Sequence, residues 1–347
     1  MLNRGLFILL SFLLLTSCGD SRRNDNEPFF ESRGIILAWN DVSNPDVIDW
    51  IAKMNEVGLN TVSVFGYDYQ SDEYSEMKQK FIDNGIDFVY EEHAMSWLLP
   101  RELFKTHPEY FRMDSNGVRQ PDFNGCPSNK KTLDIVFENA KKLGKANAPT
   151  NHKYYFWLYD GGEKCYCHEC VNYNDADQGL LFENTIIKAL KEIDSSAQLA
   201  HLAYDKTTPA PSCVKPEDGI FLEFAPFYRR WDKPLSDREA RREGQEWSHG
   251  DYLDMLEDNL KVFSNKNAQV LEYWLDVSLV SGWQKPQKKL LFSKEVFKDD
   301  LNTYAGYGIQ NITSYGAWID DYYVKTYEDI SFINEFGEGL YNFKVKN

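Results

Sequence analysis

Short apolar or β-branched runs recur along the chain, each closed by polar residues or glycine. Gly34–Trp39, Thr61–Phe65, Asp87–Glu91 and Tyr154–Tyr159 read as strands, followed by Gln198–Tyr204, Gly219–Phe224, Ala268–Trp274 and Asn311–Gly316. Most are continuous apolar runs rather than alternations, the pattern of a parallel sheet buried on both faces. Helical patterns lie between them. Asn44-Pro45 opens the first, with Val47, Ile48, Ile51, Met54 and Val57 on one face and Gly58 as the stop. Tyr74–Asn84, Thr132–Leu143, Leu180–Ile193, Tyr252–Phe263, Glu295–Tyr304 and Glu328–Tyr341 continue the series; only the connection from Tyr204 to Gly219 lacks a helical pattern.

Eight strands alternating with helices predict an α/β fold, a (β/α)8 TIM barrel forming one domain over residues 33–347. An open doubly wound sheet also alternates, but it usually carries a glycine-rich phosphate loop after its first strand. Here Trp39-Asn40-Asp41-Val42 has no glycine. Two βα connections are long, His93–Lys131 and Ala225–Gly250. In a barrel such loops surround the face where active sites form.

The first residues are an address. Arg4 is a short positive region, and Leu6–Leu15 is an apolar stretch too short to span a bilayer. Leu15-Thr16-Ser17-Cys18 matches a lipobox, so residues 1–17 resemble a bacterial lipoprotein signal peptide cleaved before a lipidated Cys18. Residues 18–32 then read as a flexible tether. The expected location is the outer membrane, at its periplasmic face or on the cell surface, with the lipid as the only membrane contact. Across 347 residues the net charge is −16, which disfavours partners with a phosphate backbone, so no nucleic acid is expected.

The barrel rule turns strand ends into a candidate site. Those ends supply Trp39, Asn40 and Asp41, then Tyr67, then Glu91, Glu92 and His93. Asp160 and Glu163, Tyr204 and Asp205, Glu223, then Glu272, Trp274 and Asp276, and finally Tyr315, Trp318 and Asp320 complete the ring. Carboxylates and aromatics dominate, and Lys and Arg are nearly missing from it. Aromatic faces stack on pyranose rings, and glycoside cleavage needs two placed carboxyl groups. Aromatics make up 15% of the chain, more than a core requires. In Tyr159-Asp160-Gly161-Gly162-Glu163 an apolar strand delivers Asp160, and two glycines leave the backbone room for a ligand. Cys165, Cys167 and Cys170 follow; with Cys126 they can form a closed four-thiolate structural zinc site, or one or two disulfides.

His107-Pro108-Glu109-Tyr110-Phe111, Gly117, Cys126-Pro127-Ser128-Asn129, Asp160-Gly161-Gly162 and Cys165-Tyr166-Cys167-His168-Glu169-Cys170 together resemble the domain of unknown function numbered 4838. Ala203-Tyr204, Pro209-Ala210-Pro211 and Glu272-Tyr273-Trp274 are similar to its later blocks, so the resemblance spans roughly residues 33–330. That domain is the catalytic part of glycoside hydrolase family 163, described as endo-β-N-acetylglucosaminidases cutting N-glycan cores in Bacteroidetes. The resemblance implies a glycoside hydrolase barrel, a glycan or glycoprotein substrate and no catalytic cofactor.

Enzymes of this activity in several families use the substrate's own 2-acetamido oxygen as nucleophile. On that reading Asp160 and Glu163 are the carboxylate pair; a plain retaining mechanism would instead use Glu272 as nucleophile. Tyr204 and Tyr315 are candidates to bond the acetamide, and Trp274 and Trp318 to form the sugar platform. Trp39, His93, Asp205 and Glu223 complete the expected substrate-binding set. The competing class is a glycan-binding lipoprotein without catalysis. A protease or esterase is disfavoured, because GxSxG and HExxH do not occur.

Overall fold

The computed structural model describes residues 27–66 and 68–345. The signal peptide, the lipidated Cys18 and Tyr67 lie outside the described residues. Nine strands form the sheet: β1 (Ser32–Ala38), β2 (Thr61–Phe65), β3 (Asp87–Val89), β4 (Glu91–His93), β5 (Lys153–Trp157), β6 (Gln198–Ala203), β7 (Ile220–Phe224), β8 (Gln269–Glu272) and β9 (Asn311–Tyr315). All pairings are parallel, in the order β3-β2-β1-β9-β8-β7-β6-β5-β4. Only Tyr90 separates β3 from β4, so the two ends of that order are one stretch of chain. The sheet therefore closes, and the fold is the expected TIM barrel of eight staves.

Closure brings strands close. Gly34 of β1 pairs with Thr313 of β9, and a Cβ on Gly34 would lie 2.6 Å from the Thr313 hydroxyl oxygen. Only glycine fits that contact. Side chains alternate between two separate cores. Ile36, Val89, Tyr155, Trp157, Ala200, Phe221 and Leu271 fill the barrel interior. Leu37, Val62, Phe88, Phe156, Leu199, Leu222, Val270 and Ile312 face the helices instead.

Five of the helices begin one to five residues before the expected starts, because polar caps set their beginnings. Ser71, Asn129, Asn174, Ser248 and Ser293 each accept a hydrogen bond from a backbone N–H in the first turn of the helix that follows. The first helix is an exception in the other direction. Asn44-Pro45 opens a loop, and the helix is Trp50–Val57, capped by Asp49 through the Ala52 N–H at 3.0 Å. The last expected helix, Glu328–Tyr341, starts at Ser331, and an additional helix, Asp321–Tyr327, precedes it and ends at Glu328, which adopts a left-handed φ of 48°. After β6 the chain makes only the short turn Asp205–Thr207, in keeping with the missing helical pattern there. Among the described residues no helix is long and apolar enough to cross a membrane.

Candidate active site

The C-terminal ends of the strands open into a cavity of 510 Å³. Phe65 comes from β2, Glu91, Glu92 and His93 from β4, and Trp157 from β5. Asp160 and Tyr204 follow β5 and β6, Phe227 and Tyr228 follow β7, and Tyr273 and Asp276 follow β8. Tyr315 ends β9, with Trp318 just beyond. Trp283 and Trp318, both on the cavity wall, hold left-handed φ values of 54° and 69°. Such strain in bulky residues concentrates where a surface is shaped for a ligand. Asp41 fixes the Trp318 turn: its Oδ2 accepts from the Ala38 N–H at 2.9 Å and the Trp318 N–H at 3.1 Å. Burial raises Asp41 to about 7.

The floor is acidic and buried. Glu223, fully buried inside the barrel, accepts from Trp157 Nε1 at 2.7 Å and from Gln269 Nε2 at 3.0 Å. Tyr155 donates to the Gln269 amide oxygen at 2.8 Å, completing the chain. Burial pushes Glu223 up to about 8 despite those donors. Glu91, on the cavity floor, is pushed far above the usual carboxyl range by burial and then by the charge of Glu223. Its Oε2 is buried without a hydrogen-bond partner. Two carboxyls so placed do not ionise together cheaply.

Nearer the mouth, Asp276 lines the wall while only 2% exposed, and its Oδ1 accepts from Ser278 Oγ at 2.5 Å and the Leu279 N–H at 3.1 Å. Burial raises it to about 6. Glu92 is likewise raised by burial. Burial, then the adjacent Asp160 charge, holds the Tyr204 hydroxyl protonated far above its usual range. Tyr315 is driven up by burial and by four carboxylates around it, Asp276, Glu92, Asp41 and Asp160. His93 Nδ1 faces the Leu158 carbonyl, so in the neutral ring Nε2 is the free acceptor.

Of the residues picked from sequence, Asp160, His93, Tyr204, Tyr315 and Trp318 meet at this cavity. Asp205 lines an adjoining cleft beside Gly161, Gly162 and Lys206. Glu223 lies in the layer below the floor. Four choices are corrected. Glu163 does not join Asp160 in the cavity; its carboxylate pairs with Lys206. Glu272 and Trp274 point out of the barrel, because Leu271 and Tyr273 take the inward positions. Glu272 accepts from the Tyr304 hydroxyl at 2.5 Å and pairs with Arg229 at 3.3 Å. Trp274 donates to Asp300 at 3.0 Å in the same buried layer. Trp39 stacks on Tyr74 in an outer groove with Pro45 and Trp50. Glu91, Glu92 and Asp276, which do line the cavity, are among the strand-end carboxylates in the sequence but have no role assigned there.

Away from the cavity, Cys126, Cys165, Cys167 and Cys170 are all buried and free, with their sulfurs within 4.8 Å of one another. Cys126 lies 3.7 Å from Cys167 and 4.0 Å from Cys170. A tetrahedral metal with metal–sulfur bonds of about 2.3 Å separates its thiolates by about 3.8 Å. Two donors face Cys165: the Met113 N–H at 3.3 Å and Arg119 at 3.9 Å. The cluster has the donors and spacing for a metal ion, and the disulfide alternative is not formed.

Solved structures share the architecture at low identity. A glycoside hydrolase family 20 β-N-acetylglucosaminidase matches with TM-score 0.50 and 10% identity, over 91% of this chain and 70% of that one. A β-galactosidase from the psychrophilic Marinomonas ef1 matches at 0.52 and 12% identity, over 83% of this chain and 54% of its own. A GH5-4 broad specificity endoglucanase from an uncultured bacterium matches at 0.50 and 11%, over 88% and 86%. At such identities the likeness is one of fold, a barrel of the kind glycoside hydrolases use. No curated protein matches the chain. The family model for the domain of unknown function DUF4838 matches residues 21–280, three quarters of the sequence, and the chain belongs to that family.

Proposed function

We propose that this protein is a glycoside hydrolase acting on N-acetylglucosamine-containing glycans, as an endo-β-N-acetylglucosaminidase on N-glycan cores. The observation that carries this reading is the 510 Å³ cavity, which combines acidic side chains with a wall of Trp, Tyr and Phe. Aromatic faces hold pyranose rings, and buried carboxyls exchange protons near neutrality. Asp276, raised to about 6, is the group suited to protonate the glycosidic oxygen. Asp160 and Tyr204, side by side, are suited to orient a 2-acetamido group. Its oxygen attacks the anomeric carbon as the glycosidic bond breaks and the acid's proton passes to the leaving oxygen. Water then opens the cyclic intermediate and the proton returns to the acid. The four-cysteine cluster, with no open ligand position, would hold zinc structurally. The Cys18 lipid would tether the barrel to the outer membrane, with no catalytic cofactor needed.

The test is the purified Asp160→Asn protein on a panel of N-glycosylated proteins, read by mass spectrometry. Cleavage is expected to fall by about 10²–10⁴-fold while glycan binding persists. Wild-type rates in this variant would remove Asp160 from the mechanism. Glycan binding by the wild-type protein with no product from any substrate would leave the non-catalytic binder.

A further inference from the structure

Next to the cavity lies a second hollow, of 990 Å³, between the connection after β7 and the segment after Val277–Val280. Its lining inverts the charge of the chain. Arg230, Arg241, Arg242, Lys288 and Lys289 face it, against Asp232 and Glu243 as acids. The whole chain has 38 basic and 54 acidic residues. Three of these cations have carboxylate partners: Arg230 with Asp232 at 2.7 Å, Lys289 with Asp329 at 3.1 Å, and Arg241 with Asp251 at 3.9 Å. Arg242 and Lys288 have none within ion-pair distance among the described residues. The Arg242 guanidinium instead sits 4.4 Å from the centre of the Trp231 ring. The Trp231 Nε1 is buried without a hydrogen-bond acceptor.

A pair of aromatic rings links the hollow to the candidate active site. The Trp231 ring packs 5.9 Å from Phe227, and Phe227 lines the 510 Å³ cavity beside Tyr228. Arg242 is near enough to Tyr228 for its charge to oppose the rise that burial and neighbouring acids impose on that hydroxyl. A glycan cut in the cavity must extend beyond it, and this hollow begins one aromatic ring away. There it meets an indole and two cations without carboxylate partners. A guanidinium is suited to carboxylate and sulfate oxygens, which it grips with paired N–H donors. A neutral sugar would gain little from them.

We propose that this hollow is an anion subsite, binding a carboxylate or sulfate ester on an outer sugar of the glycan cut in the adjacent cavity. The proposal rests on the glycosidase reading for its substrate, but its test does not depend on cleavage. Affinity of the purified protein is measured for one biantennary N-glycopeptide in three forms: arms ending in a carboxylated sialic acid, in sulfated galactose, and in neutral galactose. One or both anionic forms are expected to bind about tenfold tighter than the neutral one, the scale of a charged hydrogen bond. The form that gains identifies the source of the anion. The gain is expected to shrink in about 0.5 M salt, where exposed charges are screened. It is expected to vanish in the Arg242→Gln, Lys288→Gln double variant, whose affinity for the neutral form stays as in the wild type. Equal affinity for all three forms, or a gain that survives the double substitution, would overturn the subsite. Failure to cleave any form would overturn the glycosidase reading and leave the binding comparison intact.

Discussion

Asp276 combines two demands that conflict in most side chains. It caps the helix Val277–Val280 through Oδ1, and it stands almost unexposed in the cavity wall. Burial keeps its proton on up to about pH 6. As a general acid it would lose activity once deprotonated, so kcat/KM is expected to fall along an alkaline limb near pH 6. Asp276→Asn is expected to remove that limb and cut turnover by about 10²–10⁴-fold with glycan affinity kept. An unchanged pH profile in the variant would return Asp276 to capping alone. Glu272 is the contrasting residue. It and Asp300 share Arg229, which is wholly buried between them, with Asp300 at 2.5 Å and Glu272 at 3.3 Å. Arg229→Met strands two carboxyls and is expected to cost about 3–5 kcal/mol in urea unfolding. In Glu272→Gln, folded molecules are expected to keep their turnover, measured per active site. Loss of turnover from a fully folded variant would contradict the outward placement.

At the scale of elements, strand positions were legible because each stave is a continuous apolar run closed by a polar residue. Which side each residue faced was less so. A run buried on both faces has no alternation to read, and a shift of one position exchanges inside for outside. That is how Glu272-Tyr273-Trp274 misled: the inward residue is Tyr273, while the Glu and Trp bond to Tyr304 and Asp300 in the helix layer. Glu163 failed for another reason. It lies in a loop, where the partner it found, Lys206, is distant in sequence. The cysteine cluster was legible because its spacing carries the chemistry. Cys126 arrives from the long loop after β4, and the other three follow β5, so a bound metal would staple these two connections at the rim of the barrel. About one zinc per chain is expected by elemental analysis of purified protein. Cys167→Ser is expected to lower zinc content and the unfolding temperature together. Full thermal stability in a metal-free preparation would separate the cluster from any structural metal.

At the scale of the molecule, the barrel stores protons. Asp41, Glu223 and Asp276 stand at about 7, 8 and 6, against ordinary values of 3.8, 4.5 and 3.8, chiefly because burial penalises their charged forms. The unfolded chain releases these protons near pH 4, whereas the folded chain keeps them to pH 6–8. Across that window the folded state binds more protons, so each step up in pH favours unfolding. The net charge of −16 adds self-repulsion in the same direction as the remaining acids ionise. Asp177 works oppositely: hydrogen bonds from Val214, Cys213 and Ser212 outweigh its burial and hold it below the usual range. Its contribution is lost only in stronger acid, as pH falls through its lowered pKa. Stability is therefore expected to peak near pH 5 and decline toward pH 8, seen as a falling urea midpoint. Glu223→Gln keeps the shape of the side chain and removes its titration, so it is expected to flatten the decline between about pH 5 and 8. A midpoint that rises from about pH 5.5 to 8 would mean that these acids are ionised in the fold. The protonated acidic interior beneath the cavity would then be wrong, and with it the basis for a protonated acid in its wall.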